Sequence, residues 1–258
     1  MNAFSAVVRG NRCVAEATIN EKGLFAGNDA VSEKKRVIAF SLWGSNPKYT
    51  VGAVKNAELA KTIYPGWTCR FYVGTSVPEQ VLRSLQSFEH CEIVTMGDAG
   101  GWKGMVWRFL AAGDDDVDVV LSRDTDSRLG VREKAAVDDW LRSDKDFHIM
   151  RDHPQHTAII LGGLWGARND ILRDIASLID NSQLLDAYQT DQVFLQEFIY
   201  PRIRDRALVH DEFFEKKPFP TPRRKWEFVG EVFDQFDCSV LEHEIALERA
   251  LPHGIQTK

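Results

Sequence analysis

Residues 117–130 read VDVVLSRDTDSRLG, an apolar run of the kind that forms a strand buried on both faces, delivering Arg123, Asp124, Thr125 and Asp126 at its end. Side chains two residues apart on an extended backbone lie on one side. The carboxylates of Asp124 and Asp126 can therefore offer oxygens to a single divalent cation. Taken alone, an Asp-x-Asp of this kind also reads as two solvated loop acids, so the surrounding chain has to decide.

Upstream, residues 37–42 (VIAFSL) form a second nearly continuous apolar run, followed by a loop with Trp43, Gly44, Asn46 and Pro47. Val51, Val54, Ala57, Ala60 and Ile63 then recur at helical spacing until Pro65 and Gly66 stop the pattern. A second unit comprises a strand at 69–73 and a helix opened by Ser76, with Glu79 in capping-box position and Pro78 in the first turn. Residues 91–96 read as a third strand and 103–112 as a short helix carrying Trp107 and Arg108. Downstream, the pattern predicts helices at 131–141, 168–179 and 191–199 and strands at 147–150 and 158–161. This alternation predicts a single α/β domain with a mostly parallel, Rossmann-like central sheet flanked by helices. It spans residues 36–240, with 1–35 as an N-terminal extension and 241–258 as a C-terminal tail; polar, aperiodic residues 1–35 and 216–225 read as mobile. In open sheets of this class ligands bind beyond the carboxyl ends of the strands, where 41–44 and 123–126 both fall.

Composition narrows the function classes. The chain has 258 residues, 44% of them hydrophobic, enough for a sizeable core. A net charge of −6 gives no footprint for a nucleic-acid backbone, despite basic clusters at 202–206 and 223–225. Cys13, Cys69, Cys91 and Cys238 form no CxxC pair, and Cys69 and Cys91 begin apolar runs, where a free thiol behaves as a small hydrophobe. There is no apolar run of about 18 residues for a membrane span, nor a basic-then-apolar leader in the first 35. These features predict a cytoplasmic enzyme without nucleic-acid partners or a transmembrane segment, either free or peripheral to a membrane that holds its acceptor.

Six motifs occur in a fixed order: SLWG at 41–44, RDTDSRL at 123–129, REKAAVDDW at 132–140, FHIMRDHPQH at 147–156, GGLWG at 162–166 and TDQVFL at 190–195. Together they resemble a group of bacterial and large-virus glycosyltransferases of the GT-A fold, over about residues 37–237. The resemblance implies transfer of a hexose from a nucleotide-diphosphate sugar, a UDP-sugar being favoured, to a hydroxyl of a glycan, lipid-linked or protein acceptor. It also implies Mn²⁺ or Mg²⁺ held by Asp124 and Asp126, hard cations suited to carboxylate and phosphate oxygens. His210, in ALVHDEFF, resembles the late histidine that completes the metal site in retaining transferases that include glycogenin. Lys217, Pro218 and Phe219 follow one residue later than in that pattern, which leaves a phosphate contact by Lys216 or Lys217 open. Without the resemblance, His210 reads as a surface or capping residue.

Ser41, Leu42 and Trp43 match the strand and loop that receive the nucleobase in such folds; Trp43 either covers a base face or belongs to the core. Arg108 and Arg123, with Thr125, are candidate donor contacts, since a guanidinium fork fits phosphate oxygens, the alternative being structural ion pairs. Asp152 would accept bonds from sugar hydroxyls or cap the chain before Pro154, with His153 and His156 beside the transferred sugar. Gly162, Gly163 and Trp165 resemble the floor of an acceptor cleft. Asp191 and Gln192 match the position beneath the anomeric centre. An inverting reaction would use Asp191 as the base on the acceptor hydroxyl, whereas a retaining one would use Asp191 and Gln192 to steady an oxocarbenium-like sugar. The Asp-Gln pair and His210 lean towards retention.

Three other readings compete. A nucleotidyltransferase would show a Gly-rich, basic loop after its first strand, whereas SLWGSNP has one Gly and no basic residue before Lys48. A haloacid-dehalogenase-type phosphatase would carry its acids at the end of the first strand. A sugar-nucleotide- or glycan-binding module with a decayed site would lack metal-dependent turnover.

Overall fold

A computed structural model of the chain describes residues 34–168 and 170–251; most of the 1–35 extension, including Cys13, lies outside the described residues. Seven strands form one sheet in the order β3-β2-β1-β4-β6-β5-β7: β1 (Lys35–Leu42), β2 (Thr68–Val73), β3 (Cys91–Thr95), β4 (Val117–Arg123), β5 (Phe147–Arg151), β6 (Trp165–Arg168) and β7 (Ala207–Asp211). All pairings are parallel except those made by β6, which runs antiparallel between β4 and β5. The predicted α/β architecture with a mostly parallel sheet is the observed one.

Alternation along the strands sorts side chains between two layers. Ile38, Phe40 and Leu42 of β1 pack with Val119 and Leu121 of β4 beneath helices α1 (Pro47–Ile63), α2 (Glu79–Gln86) and α3 (Val131–Arg142). Val37, Ala39 and Val120 face the opposite layer, built on a 3₁₀ helix (Trp102–Gly113), α4 (Ile175–Asn181), α5 (Thr190–Phe194) and α6 (Tyr200–Ile203). Ser41 and Ser122 fall on this second face, one strand step from their apolar neighbours, and both point hydroxyls at the site described below.

Several local expectations differ in detail. Helix α1 starts four residues earlier than its apolar pattern, because Asn46 caps it through a 3.0 Å bond from Lys48 N and Pro47 takes the first turn. The expected capping box at Ser76 is not formed: Pro78 is the N-cap, and the Ser76 hydroxyl instead accepts from Gly44 N and donates to Ala99 O, tying two loops together. The strand expected at 158–161 is loop. Strand β6 lies at Trp165–Arg168 instead, where Gly166 lets β4 and Trp140 close in: a Cβ there would lie 2.8 Å from Leu121 and 3.0 Å from Trp140. The helix expected at 168–179 is correspondingly shortened to α4. The helix expected at 191–199 begins as α5 and continues through a single π-helical turn, Leu195–Ile199, into α6.

Beyond β7, the segment that follows folds back across the sheet's carboxyl edge. Phe233 N donates to Asp126 O (2.8 Å), Val229 N donates to Asp152 Oδ2 (2.9 Å), and α7 (Leu241–Ala250) follows within the expected tail, burying Leu247. No helix among the described residues is long and apolar enough to cross a membrane.

Candidate active site

Asp124 to Asp126 emerge from the carboxyl end of β4 and are held in place from α1. Asn56 Nδ2 donates to the carbonyls of Thr125 (3.4 Å) and Ser127 (2.8 Å), and Asn56 Oδ1 accepts from Leu129 N (3.0 Å). A Cβ at Gly52 would collide with the Thr125 carbonyl, so helix and loop meet only because that position is glycine. Thr125 itself is buried, while the side chains of its two acidic neighbours keep 41% (Asp124) and 16% (Asp126) of their surface exposed.

Three further groups converge there. Arg108, buried in the 3₁₀ helix, directs Nη1 to Asp124 Oδ1 (2.6 Å) and Nη2 to Asp191 Oδ2 (2.9 Å). Its backbone N donates to Ser41 Oγ (3.0 Å), which fixes the start of the guanidinium arm, and its Nε has no partner within the protein. Lys48, at the start of α1, pairs with Asp126 at 2.8 Å. Gly162 and Gly163 lie against the two acids so closely that a Cβ would collide with Asp191 Oδ2 at the first and Asp124 Oδ2 at the second. Ser122 Oγ holds that glycine turn through Gly162 O (2.7 Å). The sequence reading placed these glycines in an acceptor floor; here they are the clearance that lets Asp124 and Asp191 share one guanidinium.

The electrostatics leave the cluster acid-rich. Burial raises Asp191 above the ordinary carboxylate range, with Arg108 opposing and Asp124 adding to the rise. Burial and the neighbouring Asp124 raise Asp126, with Lys48 opposing. Three carboxylates thus share two cations. Oδ2 of Asp124 and Oδ1 of Asp126 are not taken by Arg108 or Lys48, so the cluster offers two hard oxygens. That donor set fits a hard divalent cation that takes one or two carboxylates from the protein and its remaining ligands from substrate phosphates and water.

Several predicted residues fall outside this cluster. His210 is on β7, three strands from β4, a separation of roughly 14 Å at ordinary strand spacing. Its imidazole points to the α3 layer, where Nδ1 meets His148 Nε2 at 2.8 Å and Nε2 lies 3.4 Å from Asp139, so it does not complete a site with Asp124 and Asp126. Lys217 pairs with Glu215 at 2.7 Å, and Lys216 takes a left-handed turn position at φ 54°. Arg123 is buried against Glu133 (2.7 Å) and the carbonyls of Ser122 and Trp165, the structural ion pair of the alternative reading. Asp152 does lie on the same edge as Asp124, since β5 runs parallel to β4. Its oxygens, however, are occupied by Arg132 (2.9 and 3.0 Å), Arg223 (2.5 Å) and Val229 N, leaving none facing a sugar.

His153 donates through Nε2 to His243 O (2.9 Å) and His156 accepts from Asp152 N (3.1 Å), with burial pushing the His156 imidazole down to about 3. Trp165 is wholly buried, stacked on Phe147 at 5.3 Å, and forms core instead of cleft. Leu42 is core as well. Trp43 is half-buried, edge-on to Trp107 at 6.1 Å and packed against Gly100. Gln192 follows Asp191 in α5, its backbone N donating to Asp191 Oδ1 (2.9 Å).

The sequence reading missed Lys48, Asn56 and Gly52, all on α1. Their signal was the position of α1 immediately after the first strand's loop. It also missed two exposed aromatics on the segments that carry the cluster: Trp102 opens the helix that carries Arg108, Tyr188 precedes α5, and their rings meet edge-on at 5.3 Å.

No family model matches the chain, and no curated protein sequence matches it. Solved structures with similar backbones include a glycosyltransferase involved in glycosylation of the major capsid of PBCV-1, at 19% identity and TM-score 0.45 over 70% of this chain and 84% of that one. A 4-diphosphocytidyl-2C-methyl-D-erythritol synthase from Anaerococcus prevotii is similar at 10% identity and TM-score 0.48, over 74% of this chain and 94% of that one. The mannosyltransferase PcManGT from Pyrobaculum calidifontis, in complex with GDP-Man and Mn²⁺, is similar at 12% identity and TM-score 0.47, over 69% of this chain and 55% of that one.

Proposed function

We propose that the chain is a divalent-metal-dependent glycosyltransferase that moves a hexose from a nucleotide-diphosphate sugar, a UDP-sugar in the favoured reading, to a hydroxyl of a glycan, glycolipid or glycoprotein. The observation that carries this is the meeting of Asp124, Asp191 and Arg108 over Gly162–Gly163 at the carboxyl edge of the sheet, beside Asp126 and Lys48. Asp124 and Asp126 would hold Mn²⁺ or Mg²⁺, which when bound supplies Lewis-acid stabilisation to the departing diphosphate. Arg108 and Lys48 bring fixed positive charge to the same leaving group as its negative charge develops. Ser41 sets Arg108 in place, and the exposed loop after it opens towards the donor.

Asp191 favours the retaining outcome. One of its oxygens is bound by Arg108 and the other by Gln192 N, so it is a fixed carboxylate, apt to steady positive charge on the sugar, and not a mobile base. In that course the bond from anomeric carbon to phosphate oxygen breaks, the acceptor oxygen adds on the same face, and the leaving phosphate takes the acceptor's proton. The Trp102–Tyr188 pair supplies aromatic faces of the kind that stack on a sugar ring, and Trp102→Ala should raise the acceptor KM about tenfold while leaving donor affinity unchanged, checked by initial-rate kinetics.

The first test is a thermal-shift panel of UDP, GDP, CDP, ADP and their sugar conjugates, each with and without Mn²⁺, because a ligand bound only by the folded state raises Tm. A metal-dependent shift selective for one base is expected. No shift with any of them overturns the reading, and release of pyrophosphate from a nucleoside triphosphate would replace it with nucleotidyl transfer.

A further inference from the structure

At the opposite end of the strands, the second residue of β2 and the first of β3 are cysteines in direct register, Cys69 against Cys91. His90 precedes Cys91, and its carbonyl accepts from Cys69 N at 2.8 Å, so the three residues are locked to one another by the first bond of the strand pair. Both sulfurs and an imidazole nitrogen lie within 4.8 Å of one another, a grouping of metal-ligating side chains that the carboxylate cleft does not share. Cys69 is fully buried, whereas His90 and Cys91 are half-buried, which leaves a path from solvent. The imidazole is already oriented from outside: Nε2 lies 2.8 Å from the Ala57 carbonyl of α1 and must donate its proton there, so the lone pair of the neutral ring is on Nδ1. A backbone carbonyl on one ring nitrogen is the usual outer support of a histidine that ligates a metal through the other.

We propose that Cys69, His90 and Cys91 form a binding site for a borderline-soft divalent cation of the Zn²⁺ type, separated from the carboxylate cleft by about 10 Å along the strands and by the width of two strands across the sheet. Two thiolates and one imidazole match Zn²⁺, and not the hard cations suited to Asp124 and Asp126. Binding exchanges two thiol protons, released to solvent, for two metal–sulfur bonds, with His90 as third ligand and water as fourth and no change of oxidation state. A cation there would join β3, the edge strand, to β2 and α1.

Co²⁺ titration of the reduced, chelator-stripped full chain tests this. One equivalent should produce thiolate-to-cobalt charge-transfer absorption that Zn²⁺ abolishes, a signal that carboxylate-bound Co²⁺ does not give. The band should persist in a Cys13→Ser/Cys238→Ser variant, while Cys91→Ser and His90→Asn, at half-buried positions, should weaken binding at least about tenfold. Absence of the band in the reduced chain overturns the proposal, as does a band unchanged by Cys91→Ser. A freshly isolated chain in which Cys69 and Cys91 are bonded to each other would assign the pair to disulfide chemistry instead.

Discussion

Two arginine–carboxylate clusters lie on the same edge of the sheet and differ in how completely their charges are met. Around Asp152, a single buried acid takes bonds from Arg132, Arg223 and Val229 N, and Glu212 balances Arg132 at 2.9 Å. Around Asp124, three acids share Arg108 and Lys48, and one oxygen each of Asp124 and Asp126 is not the one that meets either cation. The first cluster is closed and joins β5, α3 and the 221–229 segment. The second holds groups in unfavourable ionisation states beside solvent, an arrangement that stability alone does not select and that a charged ligand would complete. Type of residue does not separate the two; unmet valence does.

The largest effect expected from breaking this contrast is on stability. Asp152→Ala leaves Arg132 and Arg223 buried without their acid and should cost about 3–5 kcal/mol, measured by denaturant unfolding. A loss near zero would mean that the closed cluster is no scaffold. Asp126→Asn should do the reverse, lowering transfer by about 10²–10³-fold, while the folded state persists. Its effect on stability has a defined sign. Because the folded chain holds Asp126 above its ordinary value, the ionised carboxylate works against folding as pH rises through the window between about 4 and that raised value. The Asn variant should therefore have a higher Tm than the parent at pH 7, with the gain vanishing below about pH 4; a lower Tm at pH 7 would contradict the reading of the cleft as strained. Smaller in stability, at about 1–3 kcal/mol, is Gly163→Ala, whose methyl competes with Asp124 Oδ2 for space. It should lose activity as Asp126→Asn does, and a fully active variant would show that Asp124 need not stand where the glycine lets it.

Much of the architecture was legible because it rests on local periodicity. Strand β4 and its Asp-x-Asp, β1 with Ser41, α1 and α3 follow from apolar runs and helical spacing, whose faces are set by backbone geometry before any tertiary contact forms. Strand β6 was misplaced because its Trp-Gly-Ala-Arg has little apolar pattern, and only the space between β4 and Trp140 makes it a strand. In the site, Asp124, Asp126, Arg108, Asp191, Gly162 and Gly163 were singled out and do converge. Asp152, Arg123 and Trp165 carry equally suggestive chemistry, yet the fold surrounds them with partners.

The sequence by itself determined the α/β class, the edge of the sheet at which the acids emerge and the net charge of −6, since strand period, strand direction and charge are properties of the chain. Tertiary structure alone decided which acids stay unsatisfied. It sent His210 to the α3 layer, brought Lys48 to Asp126 and set Cys69 beside Cys91 and His90. Those outcomes depend on strand order, register and the few ångströms that a missing Cβ allows, and none of these is encoded within one local window of residues.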